Sequence, residues 1–290
     1  MYKRPNSHNR SQSPISHPPS AKPPPNPLTS STTIRVNVRL KPFTPSEIKR
    51  NERECVNPID ENHLMLSSSH SDIHRKQTQF EFHGIIEKTA SQQEVYNRSF
   101  RPLLPGLLSG LNTTIFAYGS TGSGKTYTIQ GNKENPGIVS HIVSDLYSLK
   151  DEQPEKLITY KFSYIEVYNE NLHDLLTSVD KPVDIREDPQ KGIQLVGVPD
   201  ILANNRKELM TMVNIGNRNR TQEPTARNEF SSRSHSVLQV LVETYDKTQG
   251  IDNNLHVSKL IICDLAGSEK SQIKTGHANR HQEGANINKS

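Results

Sequence analysis

At 290 residues and 31% hydrophobic side chains, the chain is long enough for one large α/β domain. A mean hydropathy of -0.73 leaves part of it too polar to pack. Two cysteines exclude a disulfide framework, no apolar run is long enough to span a membrane, and a net charge of +4 permits an acidic partner without requiring one. The start carries no signal-peptide pattern, so an intracellular soluble protein in a reducing compartment is expected.

Residues 1–33 are rich in Pro, Ser, Asn and basic side chains, without an acidic one. They cannot bury apolar surface and read as a disordered basic arm: a solvated tail, or a regulatory arm in which Ser13-Pro14 is a candidate phosphosite. The folded part is expected over 34–290. Strict alternation in Ile34-Arg35-Val36-Asn37-Val38-Arg39-Leu40 predicts a strand that Lys41-Pro42 ends. Residues 44–79 are polar and irregular; His70 and His74 are spaced for a metal pair but lack neighbouring ligands and read as solvent histidines. Phe80-Glu81-Phe82 predicts a short strand, and Ser91 to Leu108 carries apolar residues at helical spacing.

Thr113-Thr114-Ile115-Phe116-Ala117-Tyr118 reads as a buried strand running into Gly119-Ser120-Thr121-Gly122-Ser123-Gly124-Lys125-Thr126. That octet fits G-x-x-x-x-G-K-[ST], the phosphate-binding loop of nucleotide triphosphatases. Its glycines let several backbone N–H groups face one anion. Lys125 is placed to reach the β- and γ-phosphates, and the Thr126 hydroxyl to ligate Mg²⁺.

Beyond the loop, Ile138 to Leu149 predicts a helix and Lys156 to Tyr168 a long strand, closed by a short helical piece over Asn169 to Leu176. Residues 177–200 predict loop and small hairpin, Lys207 to Asn219 a helix, and Val237 to Thr244 and Val257 to Leu265 strands. Alternating strands and helices imply an α/β fold with a mostly parallel or mixed sheet.

Two further stretches stand at strand ends. Asn228-Glu229-Phe230-Ser231-Ser232-Arg233-Ser234-His235 is either a serine loop capping a strand or a source of hydroxyls for a γ-phosphate and its Mg²⁺. In Asp264-Leu265-Ala266-Gly267-Ser268-Glu269 an apolar strand ends in Asp264, placed to hold Mg²⁺ through water, and Gly267 lets its N–H approach a γ-phosphate. Three such elements, each at a strand end, point to an ATP- or GTP-hydrolysing site, since ligands of α/β sheets bind beside the carboxyl ends of strands.

Taken together, Phe116-Ala117-Tyr118-Gly119 with the loop to Thr128, Ser231-Ser232-Arg233-Ser234-His235 and Asp264 to Glu269 resemble a kinesin motor domain from about Ile34 to Ser290. Arg186-Glu187-Asp188, Gly216 to Thr225 and Glu283 to Ser290 resemble the kinesin-8 group. The resemblance implies a P-loop NTPase-type mixed central sheet flanked by helices, ATP as substrate with Mg²⁺, and microtubules as partner. It implies no nucleic acid or membrane span, leaves the oligomeric state open, and suggests a cytoplasmic, cytoskeletal location. Arg39, Lys41 and Pro42 match the family's Arg-x-Arg-Pro beside the adenine, and Tyr127 a ring by the base; Lys41 in place of the second Arg loses a planar stacking surface. His83 stands where the family usually has Asp.

In the family, the serine matching Ser232 contacts Mg²⁺ and the γ-phosphate, and the one matching Ser231 helps hold the lytic water. Arg233 and Glu269 match a salt bridge that closes the site, and through a second water Glu269 would accept the proton. Asn286 to Ser290 matches the opening of the family's switch helix. Were the 290 residues the whole polypeptide, a sheet edge would lack its cover. Three readings follow: a kinesin-8 motor, a nucleotide-dependent tubulin-binding module that does not move, and a non-functional fragment. Lys270, Lys274, Arg280 and the 177–200 segment are candidates for tubulin contact or ordinary solvated surface.

Overall fold

The computed structural model describes residues 34–67, 77–177, 183–189, 192–220, 232–247 and 255–269. The 1–33 arm, the His70/His74 pair, Ser231, Lys270, Lys274, Arg280 and the 283–290 motif lie outside the described residues.

In chain order the elements begin with β1 (Asn37–Arg39), α1 (Pro45–Lys49), β2 (Val56–Pro58), β3 (His63–Ser67), β4 (Gln77–Glu81) and β5 (Gly84–Ile86). Next come α2 (Gln92–Ser99), a 3-10 turn (Arg101–Leu103), α3 (Leu104–Leu108), β6 (Thr113–Ala117), α4 (Lys125–Ile129) and α5 (Ile138–Asp151). Then follow β7 (Lys156–Tyr168), β8 (Asn171–Asp174), β9 (Asp184–Asp188), β10 (Gly192–Val196), β11 (Ile201–Ala203), α6 (Arg206–Arg220), β12 (His235–Asp246) and β13 (His256–Asp264).

A six-stranded sheet in the order β11-β7-β12-β13-β6, with β8 on β7, forms the centre. It is mixed: β13 and β6 run parallel, and the other pairs antiparallel. The period of two in the sequence becomes a division between faces. Leu238, Val240 and Val242 on β12 and Leu260 and Ile262 on β13 are buried, in one cluster with Leu104 and Leu107 of α3, Ile138, Ile142 and Leu146 of α5 and Leu209 and Val213 of α6. The alternate positions, such as Val237, Leu241, Ile261 and Cys263, are only partly buried. Asp264 continues the buried row, so its carboxylate enters the helix-covered side, at the level of Ser236 on β12 and Ala117 on β6.

Several local readings change. The polar 44–79 stretch holds α1, β2, β3 and the start of β4, and the three strands form an antiparallel sheet β2-β3-β4. Its burial is slight: Leu64 packs with Leu40 and Ile85 in a small second cluster, which gave the sequence little periodicity to show. Helical spacing over 91–108 is interrupted, because Pro102 and Pro105 each remove a helix donor. The short helical piece expected after β7 is instead strand β8 in a hairpin. Asn169 (φ 51°) and Glu170 (φ 64°) both take left-handed conformations between paired Tyr168 and Asn171, the requirement of a tight type I′ connection. β6 is exposed at Phe116 rather than buried throughout. His83 accepts a hydrogen bond at Nδ1 from the Val36 N–H (3.0 Å), anchoring the approach to β1, which pairs in parallel with β5.

Candidate functional site

Strand β6 delivers the loop 119–126 to the carboxyl end of the sheet, and α4 leaves it. Gly122 (φ 78°) and Gly124 (φ 95°) are left-handed, and a Cβ at either would meet nothing within 4 Å among the described residues. The backbone dihedral, not space, therefore demands glycine at both. Lys125 is buried, and its Nζ donates to the carbonyl oxygens of Gly119 (2.9 Å) and Ser120 (3.0 Å). Burial pulls its ammonium below the usual lysine range, against the opposing pull of Asp264 and Glu269.

The strand-end carboxylate meets this loop directly. The Thr126 hydroxyl donates to Asp264 Oδ2 at 2.8 Å. Asp264 is 1% exposed, and its Oδ1 is buried with no hydrogen-bond partner among the described residues. An orphaned carboxylate oxygen is costly unless something positive reaches it, so Thr126 and Asp264 fit a hydrated divalent cation.

Arg220 was given no role by the sequence reading, yet it holds this corner. It is 2% exposed, and its Nη1 donates to Asp264 Oδ2 (2.7 Å) and Ser236 Oγ (3.0 Å). Its Nη2 donates to the Ser234 carbonyl (2.8 Å), and Glu166 Oε1 lies 3.8 Å from Nε. A usable signal was present. Leu209, Val213, Gly216 and Arg220 form one buried stripe on α6 at spacings of four, three and four. An arginine that continues an apolar stripe inward is one that meets a buried anion.

The segment after β13 touches both neighbouring loops. The Gly267 N–H donates to the Ser232 carbonyl (2.8 Å) and the Ser268 N–H to the Gly119 carbonyl (3.1 Å). A Cβ on Gly267 would sit 2.4 Å from Glu269 Oε1 and Thr121 Oγ1, so a larger residue here would displace the Glu269 carboxylate from Thr121. Glu269 accepts from the Thr121 N–H (2.8 Å) and from its hydroxyl. Its carboxyl lies below the usual range: partial burial opposes ionisation, but the Thr121 hydrogen bonds outweigh it. Ser232 and Arg233 are half-buried at the turn before β12.

On the other side of the loop, Arg39, Lys41, Pro42 and Tyr127 line one cavity of about 230 Å³ together with Ser123, Gly124 and Lys125. The Arg39 guanidinium lies 5.3 Å from the centre of the Tyr127 ring. Burial lowers the Arg39 pKa from its ordinary value, with Tyr127 opposing. Lys41 turns to Glu47 at 3.2 Å. Among the described residues, no cluster of three or more His, Cys, Asp or Glu side chains could hold a metal, and no helix is long and apolar enough to cross a membrane.

Against known proteins, the family model for the kinesin motor domain matches residues 39–290. The chain is 38% identical over 272 residues to kinesin-like protein KIF18B of Gallus gallus, covering 89% of this chain and 34% of that protein. It is 37% identical over 274 residues to kinesin-like protein KIF18A of Mus musculus (89% and 31%) and 36% identical over 265 residues to kinesin-like protein KIF19 of Homo sapiens (89% and 27%). The chain thus spans about a third of the length of the curated relatives it matches.

Proposed function

Since the chain belongs to the kinesin motor domain family, we propose that it binds and hydrolyses ATP and couples that cycle to microtubules as a motor domain of kinesin-8 type. The observation that carries this reading is the junction of the phosphate loop with the strand-end acid, where Thr126 bonds Asp264 beside Lys125. The similarity to KIF18B and KIF18A supports the kinesin-8 placement.

In this proposal Lys125 exchanges its two carbonyl partners for the β- and γ-phosphate oxygens, and the loop N–H groups gather around the same charge. Thr126, Ser232 and Asp264 would hold Mg²⁺, which when bound neutralises phosphate charge. The Gly267 N–H turns from the Ser232 carbonyl to the γ-phosphate. Glu269 leaves Thr121, pairs with Arg233 to close the site, and accepts the water's proton through a second water, while Ser231 orients the attacking one. Arg39, Lys41, Pro42 and Tyr127 receive the adenine. Tubulin contact is assigned to the β9–β10 hairpin, which exposes Ile185 and Ile193, and location to the microtubule cytoskeleton.

The test is ATP turnover by the purified chain with and without microtubules. Turnover that rises with microtubules is the expected result. Unstimulated turnover would favour a nucleotide module uncoupled from its track, and soluble protein that binds no ATP would overturn the reading.

A further inference from the structure

Gln92 opens α2 and is 5% exposed, although it is polar and does not line the cavity beside Arg39 and Tyr127. Its amide is used in both senses. Oε1 accepts from Arg39 Nη1 at 2.8 Å, and Nε2 donates to the Tyr127 carbonyl at 2.6 Å. The two partners fix the amide's orientation, because the flipped group would set a donor against a guanidinium and an acceptor against a carbonyl. Tyr127 lies in the five-residue helix α4, whose last carbonyls have no helical partner. Gln92 satisfies one of them. The same guanidinium nitrogen of Arg39 also donates to Thr128 Oγ1 at 2.9 Å, so β1, α2 and α4 meet at this point.

We propose that Gln92 is a positioning residue for the purine platform: its amide ties the Arg39 guanidinium to the Tyr127 backbone and so sets the base contact without touching the ligand. The inference rests on the nucleotide reading above. Arg39 and Tyr127 are far apart in sequence; the bond to Thr128 holds the guanidinium to α4, and Gln92 adds a second tie, to the Tyr127 main chain. Gln92 bonds one at its side chain and the other at its main chain, and it is rigid because it is buried. Its influence should therefore fall on the base and not on the phosphates, which the loop 119–126 serves.

The experiment measures dissociation constants of the 290-residue chain for Mg-ATP and for Mg-tripolyphosphate by titration calorimetry, in wild type, Gln92→Leu and Gln92→Glu. Gln92→Leu should weaken ATP about tenfold, the size of one lost hydrogen bond to a charged group, while tripolyphosphate affinity changes less than about twofold. Gln92→Glu keeps the acceptor for Arg39 but repels the Tyr127 carbonyl, so an intermediate loss confined to ATP is expected; it also serves if the leucine variant does not fold. Equal losses for both ligands, or an unchanged ATP affinity, would overturn the role of Gln92 while leaving the nucleotide reading intact. A wild-type chain that binds neither ligand would overturn both.

Discussion

The two ends of the site hold their arginines in opposite ways. Arg39, in the cavity beside Tyr127, is half-buried and hydrogen-bonded to the neutral groups of Gln92 and Thr128, with an aromatic ring beside it. Arg220, beside the Thr126–Asp264 contact, is almost fully buried, bonded to the Asp264 carboxylate and close to Glu166. A cation held by neutral dipoles keeps its charge available to an incoming group. A cation locked to a buried carboxylate is part of the scaffold, and removing it strands the partner. The first arrangement suits a group left free to meet a ligand and the second suits holding the Asp264 carboxylate in place, so the two arginines should fail differently.

The largest expected effect follows from that difference. Arg220→Met leaves Asp264 buried and uncompensated, and should cost about 3–5 kcal/mol in urea unfolding. Arg39→Met should cost far less stability and instead weaken ATP. Equal destabilisation by the two variants would erase the distinction. Next comes Lys125→Ala, which removes the loop's cation: ATP affinity should drop about a hundredfold or more while the fold survives, and unchanged ATP affinity would contradict the phosphate-loop reading. Glu269→Ala should keep ATP binding, since Glu269 bonds Thr121 and is no part of the loop, yet lower kcat by roughly a hundredfold. Turnover equal to wild type would remove it from the mechanism.

How much of this the sequence disclosed depended on whether residues act as neighbours in the chain. The phosphate-loop pattern is contiguous in the chain, so its glycines, lysine and threonine could be read as one unit, and the left-handed backbone at Gly122 and Gly124 meets the local demand that such a turn makes. β12 and β13 were legible because one face is packed and the other is not, which writes a period of two. The β2-β3-β4 sheet was not, because its strands cover only a small cluster and leave little alternation. Gln92 and Arg220 were missed for a common reason. Each is polar, each acts through a partner 35 to 53 positions away, and its type alone suggests a solvent face. Only the register on α6 could have flagged Arg220; for Gln92 the sequence offered no comparable sign.

A smaller pair of effects tests whether the two ends communicate. Tyr164 on β7 donates its hydroxyl hydrogen to Asn217 Oδ1 (2.7 Å) on α6 and accepts from Gln130 Nε2 (3.3 Å), the residue that caps α4. It thereby joins the helix that follows the phosphate loop to the helix that carries Arg220. Burial raises its pKa above the ordinary value of 10.0, and burial also raises Tyr96, Tyr160 and Tyr147, the last to about 12. The folded state therefore favours neutral phenols. This contribution is complete below the unfolded pKa near 10 and is lost as pH rises past it, so urea midpoints should hold to about pH 9.5 and fall steeply above it. Tyr164→Phe deletes the hydroxyl while keeping the ring, and should cost about 1 kcal/mol. It should also flatten the alkaline fall by one phenol's share. A variant as stable as wild type, with an unaltered alkaline profile, would show that α4 and α6 are fixed independently and that the two ends of the site share only the sheet beneath them.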